Sequence, residues 1–577
     1  MNSIHHKFEA AIRHFNAGNL VESESISRDI YHQNPNNQDA VHLLAVICYK
    51  NGSFKKAIDF IDAAIKISSN AHFLNTKGNI LVELGNLSAA ESAYTEAISI
   101  NPQLIDSYNN LSILLRKMNR AKEAMLVCKN ALKLNSNNVS VINTLGLCYF
   151  DCEQFEVAEH YFNKSISIAP TFIAAHLNLG KSYYSQGKLY EAIEYLEQLL
   201  EEFPTIYQIN LSLADIFRDQ KQYLAAIVEY KKVLEVDEKN FDASNNLGIC
   251  LLALGEIHNA IEVFSLASNI RPDDLSVLRN LCIGFSASQN YQRIIEMIDK
   301  YRLKNDDSDL YQLYIYVAIT YWLAGDINNV KKYLDLSSVG FKNNDQDQSD
   351  QFINAYYVYL NRLSDTIKLP TKQDIEKIYF IGDSHTLVHN QQILEIENRK
   401  YFSEAKLILG CKIWHLIQAQ ENQFTYSLSC VLNSLPKKCK VVFNIGEIDC
   451  RGNEGIILQV KKNNKNIPEM CAEMAFKYIK KIEEMAELKS LDIFLMGIPA
   501  PVIEIEGKLS HDQSLRVDII HQMNHALRYH CENNKNITFV DIYSITADVH
   551  GKAKSGFHVD EFHLSQSSCQ LAFNQIV

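Results

Sequence analysis

The chain has 577 residues, 47% of them apolar, and a formal charge of −12. That length exceeds one ordinary domain, and the apolar share is enough for real cores, so two or three domains are expected. The acidic balance argues against a general nucleic-acid binder, and no run of 18 apolar residues marks a membrane span. The N-terminal stretch MNSIHHKFEAAIRHF reads as an amphipathic helix and not as a secretion signal. Thirteen cysteines, none in a C-x-x-C pair, read as buried free thiols of a reducing compartment. No metal site and no cofactor are expected, and the expected location is cytoplasmic.

From the N-terminus to about residue 340 the chain repeats itself. Aligning the turn after each first helix gives Gly18, Gly52, Gly85, Asn119, Glu153, Gly187, Lys221, Gly255, Gln289 and Gly325, a period of 34 with one step of 33 and a last step of 36. Five residues after the turn stands Ala57, Ala90, Ala124, Ala158, Ala192, Ala226 or Ala260, and seven before it Gly78, Gly146, Gly180 or Gly248. Small side chains there let two helices approach closely. Pro35, Pro102, Pro170, Pro204 and Pro272 fall where the second helix must end. The last two units depart from the pattern, with Ile294 and Val330 at the small position. Residues 1–340 resemble the tetratricopeptide repeat family over about ten units.

Such units bury their apolar stripes against one another, so an all-α superhelix is expected, with a concave face that takes a protein or peptide partner. Asn110, Asn178, Asn246 and Asn280 recur nine residues before their turns, interrupted by Thr76, Thr144 and Ser212. They read either as solvated or capping groups, or as an amide ladder that grips a peptide backbone. Tyr183, Tyr184, Phe217 and Tyr223 read as packing between helices. Residues 341–376 form a joint: a polar run from Asn343 to Asp350, a helix from Phe352 to about Leu363 with Tyr356, Tyr357 and Leu360 turned inward, and Pro370.

Residues 377–577 alternate between strand and helix. Strands are expected at Ile378–Ile381, Ala405–Leu409, Val441–Ile445, Ile493–Gly497 and Thr538–Ile542. Helices are expected at Glu421–Leu435, Glu469–Leu488, Ser514–Cys531 and from Ser565. This alternation predicts a three-layer α/β domain, flavodoxin-like, on a parallel sheet. The first strand stops at Gly382-Asp383-Ser384-His385, which puts a serine at the sheet's C-terminal edge, where ligands bind in open α/β sheets. A serine hydroxyl needs a base to attack a carbonyl, and Asp560 and His563, three apart, can supply an imidazole and the carboxylate that orients it.

With these blocks the domain resembles the SGNH or GDSL family of hydrolases over about residues 377–570. The resemblance implies Ser384 as nucleophile, His563 as base and Asp560 as its partner. It implies Gly410 as an oxyanion N–H donor, with Asp383, His385 and Gly446 beside the site. The block that normally reads G-x-N-D is Gly446-Glu447-Ile448-Asp449, and Ile448 has no donor to offer. Arg451 is expected to substitute, with Asn444 and His385 behind it. Glu447 and Asp449 read as loop-holding groups, and His511, His521, His525 and His530 as surface or interhelix residues. The activity implied is a serine esterase acting on small O-acyl esters, such as acetyl groups on carbohydrates. The rival readings are an interaction scaffold with an inactive module of this type, and an O-acetyltransferase.

Overall fold

A computed structural model of the chain describes residues 2–302, 310–343, 351–366, 375–450, 455–463, 466–487, 489–503, 511–558 and 563–574. The polar run beyond 343, Pro370, Arg451 and Asp560 lie outside the described residues. The chain divides into two compact units, Met1–Ile216 and Phe217–Val577. The sequence boundary at 340–377 marks where helices give way to strands. Compactness divides the chain earlier because the last repeats share a core with the sheet.

Twenty helices follow one another from Asn2 to Asn343, two per period. All ten aligned turn residues, from Gly18 to Gly325, have positive φ. The next residue's N–H reaches back to a carbonyl five earlier each time, as in Ser53 to Cys48 (2.8 Å) and Arg120 to Leu115 (2.8 Å). This is the Schellman stop, which requires one left-handed residue and favours glycine. Four repeats meet the requirement with Asn119, Glu153, Lys221 and Gln289 instead. The seven alanines are fully buried. The glycines take a large side chain from the second helix: a Cβ on Gly78 would meet the Tyr94 ring at 2.4 Å, and one on Gly248 the Phe264 ring at 2.4 Å. Small and large residues therefore interlock within each unit.

In the second unit a six-stranded sheet follows the repeats. Its strands are β1 (Lys377–Gly382), β2 (Ile393–Ile396), β3 (Arg399–Leu407), β4 (Lys440–Asn444), β5 (Asp492–Met496) and β6 (Ile537–Val540), in the order β2-β3-β1-β4-β5-β6. The expectation of a purely parallel sheet needs correction. β2 pairs antiparallel with β3, and the sheet is mixed. Glu397 and Asn398, both with positive φ, form the two-residue turn of this hairpin. Glu-Asn lacks the glycine that usually announces such a turn, which is why β2 is not legible in the sequence.

Side chains alternate across the sheet. Tyr379, Ile381, Val441, Phe443 and Leu495 join a core with helices Gln423–Ser434, Ile467–Glu487 and His511–Glu532. Ile378, Phe380, Val442, Phe494 and Met496 pack on the other face, against helix Gln566–Phe573. Being buried on both faces explains the nearly unbroken apolar runs of the central strands.

The non-glycine turns make a testable point. Glu153 is exposed and held at φ 57°, a conformation that disfavours side chains with a Cβ by about 1–2 kcal/mol. Glu153→Gly should therefore raise stability by about 1 kcal/mol after the entropy cost of glycine is deducted. Chemical denaturation compares the two chains, and an unchanged or lowered midpoint refutes it.

Candidate active site

β1 ends at Gly382, where an added Cβ would lie 2.0 Å from the Asn444 carbonyl of β4. Only glycine lets the two strands stay paired through their last residues. Asp383 follows and caps a short 3-10 turn, Ser384–His389, by accepting the backbone N–H of His385 (2.9 Å). The Nδ1 of His385 lies 3.0 Å from the same carboxylate oxygen. Across 179 positions of sequence, Ser384 Oγ meets His563 Nε2 at 2.9 Å. The predicted serine and imidazole thus share one site, in which Ser384 is 7% and His563 3% exposed. The His385 ring lies 4.9 Å from that of His563.

Gly410 stands three residues beyond Leu407, which is level with Gly382 in the β1–β3 register. It has positive φ. Burial holds the phenol of Tyr356 well above its usual pKa, so it stays protonated. Gly446 turns the chain after β4 at φ 141°, and Ile448 is a buried apolar side chain.

Tyr356 belongs to the connecting helix, Gln351–Thr366. One turn on, Tyr359 lays its ring flat on His563, with centroids 3.7 Å apart and planes 13° apart. Of the residues expected to face inward, Tyr356 and Leu360 are buried and Tyr357 is half-buried, while Tyr359, not among them, is fully buried. The stripe Ile353, Tyr356, Leu360 and Leu363 carried the signal, with Tyr359 beside it.

The acidic loop after β4 divides its work. Asp449, fully buried, accepts the N–H groups of Ile413 (2.7 Å) and Trp414 (3.1 Å), as expected of a loop-holding carboxylate. Glu447 pairs with Arg516 of helix His511–Glu532 at 2.8 Å. Asn444 Nδ2 and Asp383 Oδ2 are buried and have no hydrogen-bond partner among the described residues. Burial lowers the pKa of His389 to about 3, which keeps it neutral. Among the described residues no group of three or more His, Cys, Asp or Glu is placed to hold a metal ion, and no helix is long and apolar enough to cross a membrane.

On the repeats, the ladder joins one repeat to the next. Asn110 Nδ2 donates to Asn75 Oδ1 (3.1 Å), Asn178 to Asn143 (2.9 Å) and Asn280 to Asn245 (2.9 Å). Thr144 donates to Asn109 (2.8 Å), and Thr76 meets His42 (2.9 Å). Thr76 and Thr144 are rungs and not interruptions. Ser212 bonds its own helix at Gln208.

The chain matches models of the tetratricopeptide repeat over residues 6–72 and 177–232 and over 71–104, of the TPR repeat over 214–255, and of anaphase-promoting complex, cyclosome, subunit 3 over 117–199. It is 22% identical over 364 residues to the BBSome complex member BBS4 of Bos taurus, covering 62% of this chain and 68% of that one. It is 28% identical over 164 residues to DnaJ homolog subfamily C member 7 of Homo sapiens, covering 26% of this chain and 33% of the other. The chain thus spans about two thirds of the first relative and one third of the second. A solved tetratricopeptide repeat protein from Parabacteroides merdae matches at 18% identity and a TM-score of 0.35, over 49% of this chain and all of that one. The N-terminal part of the chain is a tetratricopeptide repeat array, and an α/β region with a mixed sheet follows it.

Asp449 gives this site a pH signature. Burial pushes its carboxyl from 3.8 up to about 7, against the pull of the two N–H groups. Because the folded value lies above the unfolded one, the folded chain keeps a proton that the unfolded chain has lost. Stability from this group is complete below pH 4 and falls as pH rises toward 7, by at most about 1.4 kcal/mol per unit. Asp449→Asn removes the titration. Urea unfolding from pH 4 to 7 should show the variant gaining on the wild type across that window, and parallel curves would exclude the shift.

Proposed function

We propose that this chain is a protein-binding scaffold whose repeat array holds a protein or peptide partner. The observation that carries this reading is the set of repeat matches over residues 6–104 and 177–255, together with likeness to proteins named as members of multi-subunit complexes. Stacked helix pairs offer an extended surface suited to a protein segment. The ladder stiffens that surface, since its amides bond between repeats. A cytoplasmic setting suits the free thiols of the described cysteines.

The 2.9 Å contact between Ser384 and His563 favours a second reading, in which the α/β region is an SGNH-type acyl-ester site. Ser384 attacks the carbonyl of a small O-acyl ester, such as an acetylated glycan, and His563 takes its proton while Asp560 steadies the imidazolium. The N–H groups of Ser384 and Gly410 receive the oxyanion, with Arg451 in place of the missing amide. The intermediate expels the alcohol, which takes the proton from His563 and leaves Ser384 acylated; water or a sugar hydroxyl, giving its proton to His563, then takes the acyl group and frees the serine, giving hydrolysis or acyl transfer. One feature weighs toward a scaffold with an inactive module: Ile448, a buried apolar side chain, stands where the family's donor is expected.

A fluorophosphonate probe and p-nitrophenyl acetate separate the two. The acyl-ester reading expects labelling and hydrolysis by the full chain, both abolished in Ser384→Ala, and a loss of about 10²–10³ in turnover for Arg451→Ala, the scale of one oxyanion donor. Equal signal from wild type and Ser384→Ala leaves the scaffold alone. The scaffold reading expects partners captured from native extract to survive Ser384→Ala and to fall away when surface residues of the array are changed. Capture indifferent to the array refutes it.

A further inference from the structure

The turn that Ser384 opens, Ser384–His389, is of the 3-10 kind, whose hydrogen bonds are poorer than those of an α-helix. It therefore depends on partners outside itself. Asp383 holds its start. Its end is held from the last repeat, whose helices are Tyr311–Ala324 and Ile327–Asn343. Trp322 Nε1 donates to the Leu387 carbonyl at 2.9 Å, and Asn390 Nδ2, just past the turn, donates to the Trp322 carbonyl at 2.6 Å. Trp322 and Asn390 are both buried.

The exchange meets a need on each side. Trp322 stands in the last turn of its helix, where carbonyls no longer meet a following turn, and Asn390 adds a donor there. An indole N–H taken out of water needs an acceptor, and the Leu387 carbonyl is one. Asn390 Oδ1 also accepts the Ala405 N–H of β3 at 3.0 Å, so one side chain ties the turn to the repeat and to the sheet. Apolar packing follows the same line, since Leu387 and Val388 of the turn share a core with Trp322. A second tie lies on the neighbouring strand. The carbonyl of Leu407, level with Gly382 in the β1–β3 register, accepts from Tyr291 at 3.0 Å and from Gln289 at 3.1 Å.

We infer that the last repeat is a working part of the Ser384–His563 site and that Trp322 is a positioning residue: its N–H fixes the turn that places Ser384 Oγ 2.9 Å from His563 Nε2. The inference rests on the acyl-ester reading for the reaction, while the position of the turn is measurable without one. Leu387 lies three residues beyond Ser384, one full turn of a 3-10 helix, so a shift of one is carried to the other. A nucleophile moved slightly from its base loses rate without losing the fold. The array is more than an adaptor beside an enzyme, because the reactivity of Ser384 is set from within its last repeat.

The test compares the full wild-type chain with Trp322→Phe, Asn390→Asp and Ser337→Ala. Trp322→Phe keeps an aromatic ring and removes the N–H. Asn390→Asp keeps the oxygen that takes the Ala405 N–H and removes the donor. Ser337→Ala is the control: it removes a bond of the same repeat, to the Tyr311 carbonyl at 2.9 Å, that does not reach the turn. Two quantities are read: hydrogen exchange of peptides covering 384–390 against those covering β1, by mass spectrometry, and the rate constant of Ser384 labelling by a fluorophosphonate. The rate constant, unlike the final extent of labelling, is indifferent to a minority of unfolded chains. In both turn variants exchange over 384–390 should rise about ten-fold and the labelling rate constant should fall about ten-fold, the scale of one buried hydrogen bond. Exchange of β1, and both readings in Ser337→Ala, should stay close to the wild type. Unchanged exchange over 384–390 in a folded variant overturns the positioning. So does Ser337→Ala acting as strongly as Trp322→Phe, which makes the effect a general loosening of the repeat, and so does faster exchange with an unaltered labelling rate constant. If the wild type is not labelled while exchange over 384–390 rises in the turn variants alone, the positioning of the turn stands and the acyl-ester reading falls. Should far-UV circular dichroism show Trp322→Phe unfolded, Asn390→Asp decides by the same readings.

Discussion

The second unit depends on one helix that has no solvent face. Helix Tyr311–Ala324, the first helix of the last repeat, has ten buried residues, and its apolar side chains run all round it. A helix of that kind must be enclosed. Repeats and the connecting helix cover part of it, and the edge of the sheet covers the rest. Trp322 Nε1 donates to the Leu387 carbonyl at 2.9 Å, and Asn390 Nδ2 returns a bond to the Trp322 carbonyl at 2.6 Å. Leu387 lies in the 3-10 turn that Ser384 opens. The last repeat therefore holds the turn that carries the serine.

That junction also explains why the final repeats depart from the pattern. In the inner repeats an alanine admits the neighbouring helix. At the end of the array the neighbour is a different surface, and Ile294 and Val330 fill larger spaces in a core shared with Leu387, Val388 and Leu407. The carbonyl of Leu407 accepts from both Tyr291 (3.0 Å) and Gln289 (3.1 Å). Gln289 is one of the four repeat-turn residues that hold a left-handed conformation without being glycine, and here its side chain has a second task that glycine could not perform.

The site itself balances burial against chemistry. Asp449, Glu447 and Asp383 are carboxylates within the fold, each with a partner that meets part of the cost of leaving water: backbone N–H groups, Arg516 and His385 respectively. The Ser384–His563 contact is likewise dry. A buried setting strengthens each polar contact within it, and the ring of Tyr359 from the connecting helix packs on the His563 imidazole.

Much of this was legible from local pattern. The repeat period, its ten turns, five of the six strands and the four helices between and after them follow from spacing, since each rests on contacts within about 35 residues. The serine and the histidine could be named from their motifs, and the loop-holding role of Asp449 could be read from its setting after a strand. Tertiary structure alone decided the rest. The edge hairpin of β2 has no glycine to announce it. The ladder's true rungs, with Thr76 and Thr144 among them, depend on which side chains face one another between repeats. The meeting of Ser384 with His563, the stacking of Tyr359 on His563, and the union of the last repeats with the sheet are all contacts between segments far apart in the chain. Spacing in sequence encodes which face of a helix is apolar, but not what that face will meet.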